Sequence, residues 1–548
     1  MPERNESYPE RNDTMNQPER SNGSSAITRR SYRKGGASPE RTQLNGDAIM
    51  KGSGVKRGSI TRRDYLKTSL LGTAGLFAAP TIVPSSVFGR NAPSNVINVA
   101  QIGCGRIARA HDLPEVLKHD GVHVIAVCDP DRLRMEEGKQ FVEKWYAEKT
   151  GSASPVTVRM YGDYRELVAQ PDIDAVVIST PDHQHCVPTL EAALAGKDVY
   201  LQKPLSLTVE EGRRISDTLH RLGTVFQVGS QQRSLDPWPH FKRACELVRN
   251  GRIGALHTVR VGLPGDPAGG DPTPMPVPEY LDYDLWLGST PEVPYTIDRV
   301  HPLDRIPPEE YYSRPGWLRC EQFSAGMITG WGAHHVDTAH WGMGTEYTGP
   351  IEIRAGAEFP TEGLWDVHGN FNVEARYANG VTMLISGDFP NGVRFEGEDG
   401  WIFVSRSGPV TSTDPDTGEQ EREPPLQASD PALLESVIGP EELHLYESPE
   451  QHTNWLQCIR SRDVTVAPVE VAHRSTSTCL IAHIAMKLDR TLYWDPVKER
   501  FRNDDEANSM LSRPQRYPYT YEMVGQVDAA RQRVMKESDE LMEASSAR

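Results

Sequence analysis

A chain of 548 residues is too long for one hydrophobic core, so two domains with appendages are expected. Hydrophobic residues make up 37% and charged residues 25%, which places the chain with soluble globular proteins rather than disordered or membrane-embedded ones. The net charge of −17 argues against a nucleic-acid-binding surface, which needs a positive patch.

Residues 1–58 read as an unstructured leader, rich in Asn, Ser, Gly, Arg and Glu, with Pro-Glu-Arg recurring at Pro2, Pro9, Pro18 and Pro39. Residues 59–90 then read as a twin-arginine export signal. Thr61-Arg62-Arg63-Asp64-Tyr65-Leu66-Lys67 precedes a small, apolar run from Ser69 to Pro80, too short for a stable membrane anchor. The similar letters at Ile27-Thr28-Arg29-Arg30 run into Gly35-Gly36 with no apolar stretch and are discounted. A start at Met50-Lys51 would put the signal at the N-terminus, leaving residues 1–49 as an overrun. The expected partner is the twin-arginine export machinery, and the expected location is the periplasm or extracellular space.

From Val96 the chain alternates strands and helices. Strands are predicted at Val96–Gln101, Val122–Cys128, Ala175–Ser179, Asp198–Leu201 and Thr224–Val228. Helices are predicted from the first strand to Lys118 and at Tyr164–Ala169, Val187–Ala195 and Thr208–Leu222. Such alternation predicts an α/β domain over 96–235, a doubly wound parallel sheet. After Trp238 a helix, Phe241–Arg249, leads to strand Ala255–Leu263. Strands Ile351–Ala357, Asn370–Tyr377, Thr382–Asp388 and Val393–Ser405 then follow with no helices between them. This predicts an α+β domain over 236–500 built on an open mixed or antiparallel sheet, with 408–430 a surface insertion and 501–548 a C-terminal extension. Helices at Asn454–Arg460 and Val471–Leu488 complete it.

Gly103-Cys104-Gly105-Arg106-Ile107-Ala108 joins the first strand to the first helix, the context that a dinucleotide-binding Gly-x-Gly-x-x-Ala turn requires. Gly103 would make the tight turn, Gly105 would admit a pyrophosphate, and Ala108 would let helix and strand pack closely. Asp129 ends the second strand, where a carboxylate binds both ribose hydroxyls and repels a 2′-phosphate. NAD is therefore the expected cofactor, and Arg132 nearby is what keeps NADP in consideration. Thr180, Pro181, His183 and His185 follow the Ala175 strand, and Gln202-Lys203-Pro204 follows the next. Both sit at carboxyl strand ends, where open α/β sheets gather ligands.

With Gly330-Trp331-Gly332-Ala333-His334-His335-Val336-Asp337, Trp286-Leu287-Gly288 and Arg516-Tyr517-Pro518-Tyr519, these motifs resemble the Gfo/Idh/MocA oxidoreductase family over roughly Asn98 to Tyr519. The resemblance implies a Rossmann domain joined to an open-faced mixed sheet often used for homo-oligomer contact, and NAD(P) chemistry on a cyclic sugar or polyol. The family's Glu-Lys-Pro maps onto Gln202, Lys203 and Pro204. Lys203 is thereby the residue that polarises or takes the hydroxyl proton, and Gln202 loses a charge that could tune it. The family's Asp-x-Gly-x-His-x-x-Asp maps onto Gly330, Gly332, His334 and Asp337. His334 becomes the candidate acid/base, with Asp337 on the same helical face able to orient it, and Gly330 departs from the pattern. His335 or a tyrosine of Tyr311-Tyr312 could stand in for the missing carboxylate. His183, His185, Gln202 and Lys203, with Arg106 and Ile107 of the turn, are expected to line the cofactor site. Arg233, His334, His335 and Asp337 are expected to contact substrate.

No metal is expected, because His334, His335, Asp337 and His340 do not share one helical face. Seven scattered cysteines without a C-x-x-C pair read as small core residues rather than a disulfide framework. Two further readings compete with a simple dehydrogenase: NAD-assisted glycoside hydrolysis with a retained, recycled cofactor, and a non-catalytic ligand-binding protein on the same fold.

Overall fold

The computed structural model describes residues 96–151, 157–300, 316–413 and 420–524. The expected leader, export signal, Tyr311-Tyr312 loop and chain end lie outside them.

The first sheet is wholly parallel. Its strands are β1 (Ile97–Ile102), β2 (Val122–Cys128), β3 (Arg159–Tyr161), β4 (Ala175–Ile178), β5 (Asp198–Leu201) and β6 (Phe226–Val228). They run in the order β3-β2-β1-β4-β5-β6. Strands β4, β5 and β6 are buried at every position because helices cover both faces of the sheet. The strand order reverses between β1 and β4, which opens a crevice at their carboxyl ends. Local chemistry sets the helix boundaries. Asp131 caps Arg132–Thr150 by accepting from Leu133 and Arg134 N–H, and Gly151 ends that helix at φ +67°. Thr208 and Glu211 form a reciprocal capping box at the start of Val209–Leu222.

The second sheet is built from β7 (Leu256–Gly262), β8 (Glu352–Ala357), β9 (Phe371–Arg376), β10 (Thr382–Ser386), β11 (Gly392–Gly397), β12 (Gly400–Val404), and three further strands. A separate exposed ribbon pairs β13 (Val410–Thr413) with β14 (Gln420–Arg422), and β15 (Leu426–Ala428), β16 (Leu492–Asp495) and β17 (Arg500–Phe501) complete the sheet. Its order is β15-β12-β11-β7-β10-β9-β8-β16-β17, mixed because β10 runs parallel to β7. The predicted single strand Val393–Ser405 is a tight hairpin, β11 paired with β12 around Gly397–Gly400. The acidic stretch expected as an insertion contributes β15, which pairs with β12 at the sheet edge.

One face of this sheet buries Val259, Val261, Met383, Ile385, Val393 and Phe395. Helices Pro239–Arg249, Gly332–Met343 and Val469–Leu488 supply the partners for that face. The other face carries ion-paired side chains, including Arg260 and Arg394 on Glu396, and Arg376 on Glu374. Val469–Leu488 also packs on Val209–Leu222 and so ties the second lobe to the first. Gly212 makes that approach possible, since a Cβ there would meet the His473 ring at 2.6 Å. All seven cysteines are buried free thiols. No helix among the described residues is long and apolar enough to cross a membrane.

Candidate active site

The glycine turn shapes one wall of a cleft at the switch point. Gly103 sits at φ +83°, and a Cβ there would stand 2.8 Å from the Ser179 carbonyl, so only glycine lets β1 and β4 end this close. Ala108 is fully buried, while Gly105, Arg106 and Ile107 line the cleft. Asp129 lies at its floor. One carboxylate oxygen accepts from Cys104 N–H at 2.8 Å and the other from Asp131 N–H at 2.9 Å. Burial pushes its pKa up, and the Arg134 guanidinium with these backbone donors opposes the shift. Arg132 is an exposed partner of Glu136, so Arg134 is the basic residue lining the cleft here.

The cleft opens to solvent and runs from the glycine turn to the ends of β4 and β5. Its far wall comes from the second half of the chain: Leu285, Trp286, Val300, Trp317 and Leu318. Backbone bonds hold this roof, with Arg132 N–H donating to Tyr280 O at 2.8 Å and Asp282 N–H to Pro130 O at 2.9 Å. His183 Nε2 lies 2.8 Å from Trp286 O, and Gln184 Nε2 donates to Leu285 O and Trp286 O. Gly288 is required beneath Gln184, since a Cβ there would meet its amide at 2.2 Å. Tyr519 O–H and Arg516 both donate to Asp284 at the base of the roof helix Tyr283–Leu287. The Trp-Leu-Gly and Arg-Tyr-Pro-Tyr motifs are therefore parts of one closure.

Thr180, Pro181, Gln202 and Lys203 line the cleft together with Asp182. Asp182 is buried and accepts from Ser324 O–H at 2.9 Å. Burial raises its pKa, and the Lys203 ammonium pulls it back. His183 and His185 are corrections to the expected lining, because neither ring lines the cleft. His183 packs between Trp286 and Phe323, and burial drives its pKa down to about 3. His185 straps two loops, with Nδ1 2.6 Å from Pro204 O and Nε2 3.0 Å from Thr180 O, and burial lowers it to about 4.

The helix Gly332–Met343 also departs from expectation. Arg233 and Asp337 are not available as a substrate pair. Arg233 forks onto both Asp337 oxygens at 2.6 and 2.8 Å, donates to Glu346 at 2.7 Å, and lies over the Trp341 ring. Asp337 also accepts from Ser230 O–H at 2.5 Å, so it does not orient His334. His335 Nε2 lies 2.6 Å from Asn391 Oδ1, and His340 Nε2 lies 2.7 Å from the Tyr377 hydroxyl, which separates the would-be metal cluster. His334 is 5% exposed and its Nδ1 has no hydrogen-bond partner among the described residues. Burial first, then Arg406 and Lys203, hold its pKa well below neutrality. Gly330 faces the tip of Met327.

A polar hub missed by the sequence reading sits behind Gln202. Asp112 is fully buried and accepts from Gln202 Nε2 at 2.7 Å and from Ser179 O–H at 2.5 Å. Two ring nitrogens, His111 Nδ1 and His452 Nε2, lie 3.1 and 3.4 Å from its Oδ1. His111, Asp112 and His452 thus resemble a metal-ligand set. The Gln202 amide N–H already occupies the oxygen a cation would need, so an imidazolium between Asp112 and Glu450 accounts for the cluster better. The detectable sequence signal was His-Asp in the second turn of the glycine-turn helix; the partner His452 is 340 positions away.

The glycine-cradled cleft, its floor carboxylate and its strand-end lysine define a dinucleotide-binding α/β protein. Sequence profiles agree: the oxidoreductase-family NAD-binding Rossmann fold matches residues 97–230, and that family's C-terminal alpha/beta domain matches 270–427 and 435–521. The chain belongs to the Gfo/Idh/MocA oxidoreductase family. An uncharacterized oxidoreductase of Rhizobium meliloti is 31% identical over 166 residues, 30% of this chain and 45% of that protein. A glycosyl hydrolase family 109 protein of Shewanella pealeana is 31% identical over 232 residues, 38% of this chain and 44% of that protein. The chain thus aligns with less than half the length of these curated relatives. Among solved structures, a dehydrogenase from Bordetella pertussis in complex with NADH and UDP-GlcNAcA superposes with a TM-score of 0.49 at 16% identity, covering 73% of this chain and 99% of that one.

Proposed function

We propose that this protein is an NAD-dependent oxidoreductase that transfers hydride to or from a sugar, polyol or sugar derivative. One observation carries the reading: the Gly103 turn, Asp129 and the Gln202–Lys203 strand end line a single cleft. The residues fit the cofactor. Gly103 makes the tight turn, Gly105 leaves backbone exposed for a pyrophosphate, and the second lone pairs of Asp129 can accept from ribose hydroxyls. NAD is favoured over NADP on the strength of that buried carboxylate. Bound NAD supplies the hydride acceptor. Lys203 Nζ then holds or takes the substrate hydroxyl proton, and His334, kept neutral by burial, feels the Lys203 charge without lining the cleft itself.

A second reading, glycoside cleavage through a retained and re-reduced cofactor, draws support from the roof over the cleft. A hydrolase-named relative from Shewanella pealeana points the same way. Two other readings complete the proposal. Residues 59–90 direct export by the twin-arginine route, tested by following a chain with Arg62 and Arg63 both changed to Lys. The open sheet face supports self-association, tested by light scattering.

The functional test begins with melting curves with and without NAD. No gain in stability with NAD would end the dehydrogenase reading. Lys203→Ala should keep that gain and lose turnover by about 100-fold or more. A sugar and glycoside panel scored for both NADH and free aglycone then separates the two reactions.

A further inference from the structure

The helix that follows the glycine turn is not a regular α-helix. Between Ala108 and Asp112 it widens into a π turn before tightening again at Leu113–Leu117. Such a turn fits an extra residue into the helix and re-aims its side chains, and it is frequent at functional sites. Here the π turn carries Asp112 into the sheet and leaves His111 at the boundary. Asp112 bridges the ends of two strands, taking the Ser179 hydroxyl after β4 and the Gln202 amide after β5. Both donors line the cleft beside Lys203.

The charge on Asp112 is well secured. Burial alone would raise its pKa, but the His111 and His452 rings facing it outweigh burial and hold it well below the carboxylate range. His452 stacks on Tyr200 at 4.2 Å and also faces Glu450 at 3.1 Å, with Glu115 close by. Asp112 is therefore ionised, with donors on both oxygens and no need of a proton from the site.

His111 differs from every other histidine near the cleft. His183, His185, His334, His335 and His452 are sealed in the interior, at 5% exposure or less. The His111 side chain keeps 30% exposure while its Nδ1 is tied to Asp112 Oδ1 at 3.1 Å. Its Nδ1 shares the Asp112 Oδ1 acceptor with the Gln202 amide, the chain neighbour of Lys203. An ionised carboxylate on Nδ1 fixes the proton there and leaves Nε2 as the basic atom, the arrangement in which a carboxylate orients an imidazole for proton transfer.

We propose that His111 and Asp112 form the proton outlet of the redox site, with His111 as the relay and Asp112 as its positioning residue. The proposal rests on the dehydrogenase reading of the cleft. In the oxidation direction the substrate C–H bond breaks, and its hydride, with the electron pair, goes to NAD. The carbinol carbon is oxidised to a carbonyl and the nicotinamide is reduced. The hydroxyl proton passes through Lys203 to His111 Nε2, forming an imidazolium paired with the Asp112 carboxylate, and then leaves to water from the exposed edge of the ring.

The test uses full-length protein carrying His111→Ala, His111→Gln or Asp112→Asn. The readouts are melting with NAD, the side-chain nitrogen NMR spectrum of His111, and NADH formation from D-glucose, myo-inositol and D-glucuronate. Each variant should keep the NAD-dependent gain in melting temperature. His111→Ala and His111→Gln should lower NADH formation about 100-fold, and added imidazole should restore a large part of the rate to His111→Ala alone. Asp112→Asn should convert His111 from a single Nδ1–H tautomer to a mixture. Wild-type rates in both His111 variants would overturn the relay, as would His111→Ala that imidazole does not rescue. An unchanged His111 tautomer in Asp112→Asn would overturn the positioning role. Should wild-type protein gain no stability from NAD or turn over none of the three compounds, the dehydrogenase reading falls instead, and the tautomer result alone decides whether Asp112 positions His111.

Discussion

At the residue scale, the groups that the sequence presents most openly divide into those that stay in the cleft and those that folding consumes. Arg233 and Asp337 are consumed: both are buried, and they satisfy each other through a two-pronged contact that also ties the turn after β6 to the helix carrying His334. Arg233→Ala would leave Asp337 and Glu346 without their cation, and the loss of a partner from a buried pair costs about 3–5 kcal/mol. The expected result is a lower denaturant midpoint with NAD affinity little changed; a selective rise in KM at unchanged stability would return Arg233 to a substrate role. His452 makes a second residue-scale prediction. Burial opposes its charge, but the Asp112 and Glu450 carboxylates facing its two ring nitrogens outweigh burial and raise its pKa to about 9. A group raised above its unfolded value near 6.5 stabilises fully below that value, and the contribution fades as pH climbs through about 9. Stability should therefore decline between about pH 6.5 and 9, and His452→Gln should flatten that slope. A slope that persists in the variant would assign it to another group.

At the element scale, the parallel sheet was legible because each strand is a short apolar run followed by a helix with its own stop signals. β2 and β5 fall on their predicted residues, and β4 falls within a residue of its prediction. β3 was not legible. Arg159–Tyr161 is a three-residue edge strand with no fully buried position, so it lacks the apolar run that marks its neighbours. The β11–β12 hairpin was read as one strand because its turn lies between two glycines inside a continuous alternating pattern. In the site, the glycine turn and Lys203 were readable from position relative to strands. The fates of His183, His185, Arg233 and Asp337 depend on partners as far as 113 residues away, which spacing does not reveal. The glycine turn yields the element's sharpest prediction. At Gly103 an alanine would combine a strained φ with a Cβ 2.8 Å from backbone atoms of Ser179, which cannot swing aside. Gly103→Ala should abolish the NAD-dependent rise in melting temperature, whereas Gly439→Ala, away from the cleft and with its nearest Cβ contact at an ordinary 3.6 Å, should retain it.

At the scale of the whole molecule, the two lobes are joined on both sides of the cleft. Val469–Leu488 runs between them behind it, and the 280–288 segment crosses in front, bonded to Pro130, Arg132, His183 and Gln184 of the dinucleotide-binding lobe. The Arg516–Tyr519 segment buckles this crossing, since both residues hold Asp284 while Tyr519 itself packs into the core of the first lobe. A ligand lying along the cleft is thus flanked by the Leu285–Trp286 roof, and departure should be slowed for a reason separate from affinity at the glycine turn. Tyr519→Phe removes one donor to Asp284 and keeps the ring, whereas Asp284→Ala frees both Arg516 and Tyr519. The expected order of NADH release, followed by fluorescence after mixing with excess NAD, is wild type slowest, Tyr519→Phe faster and Asp284→Ala fastest, with association changed much less. Equal release rates in all three would mean that the roof opens without breaking these bonds. Retention would then reside in the cradle around Gly103 and Asp129.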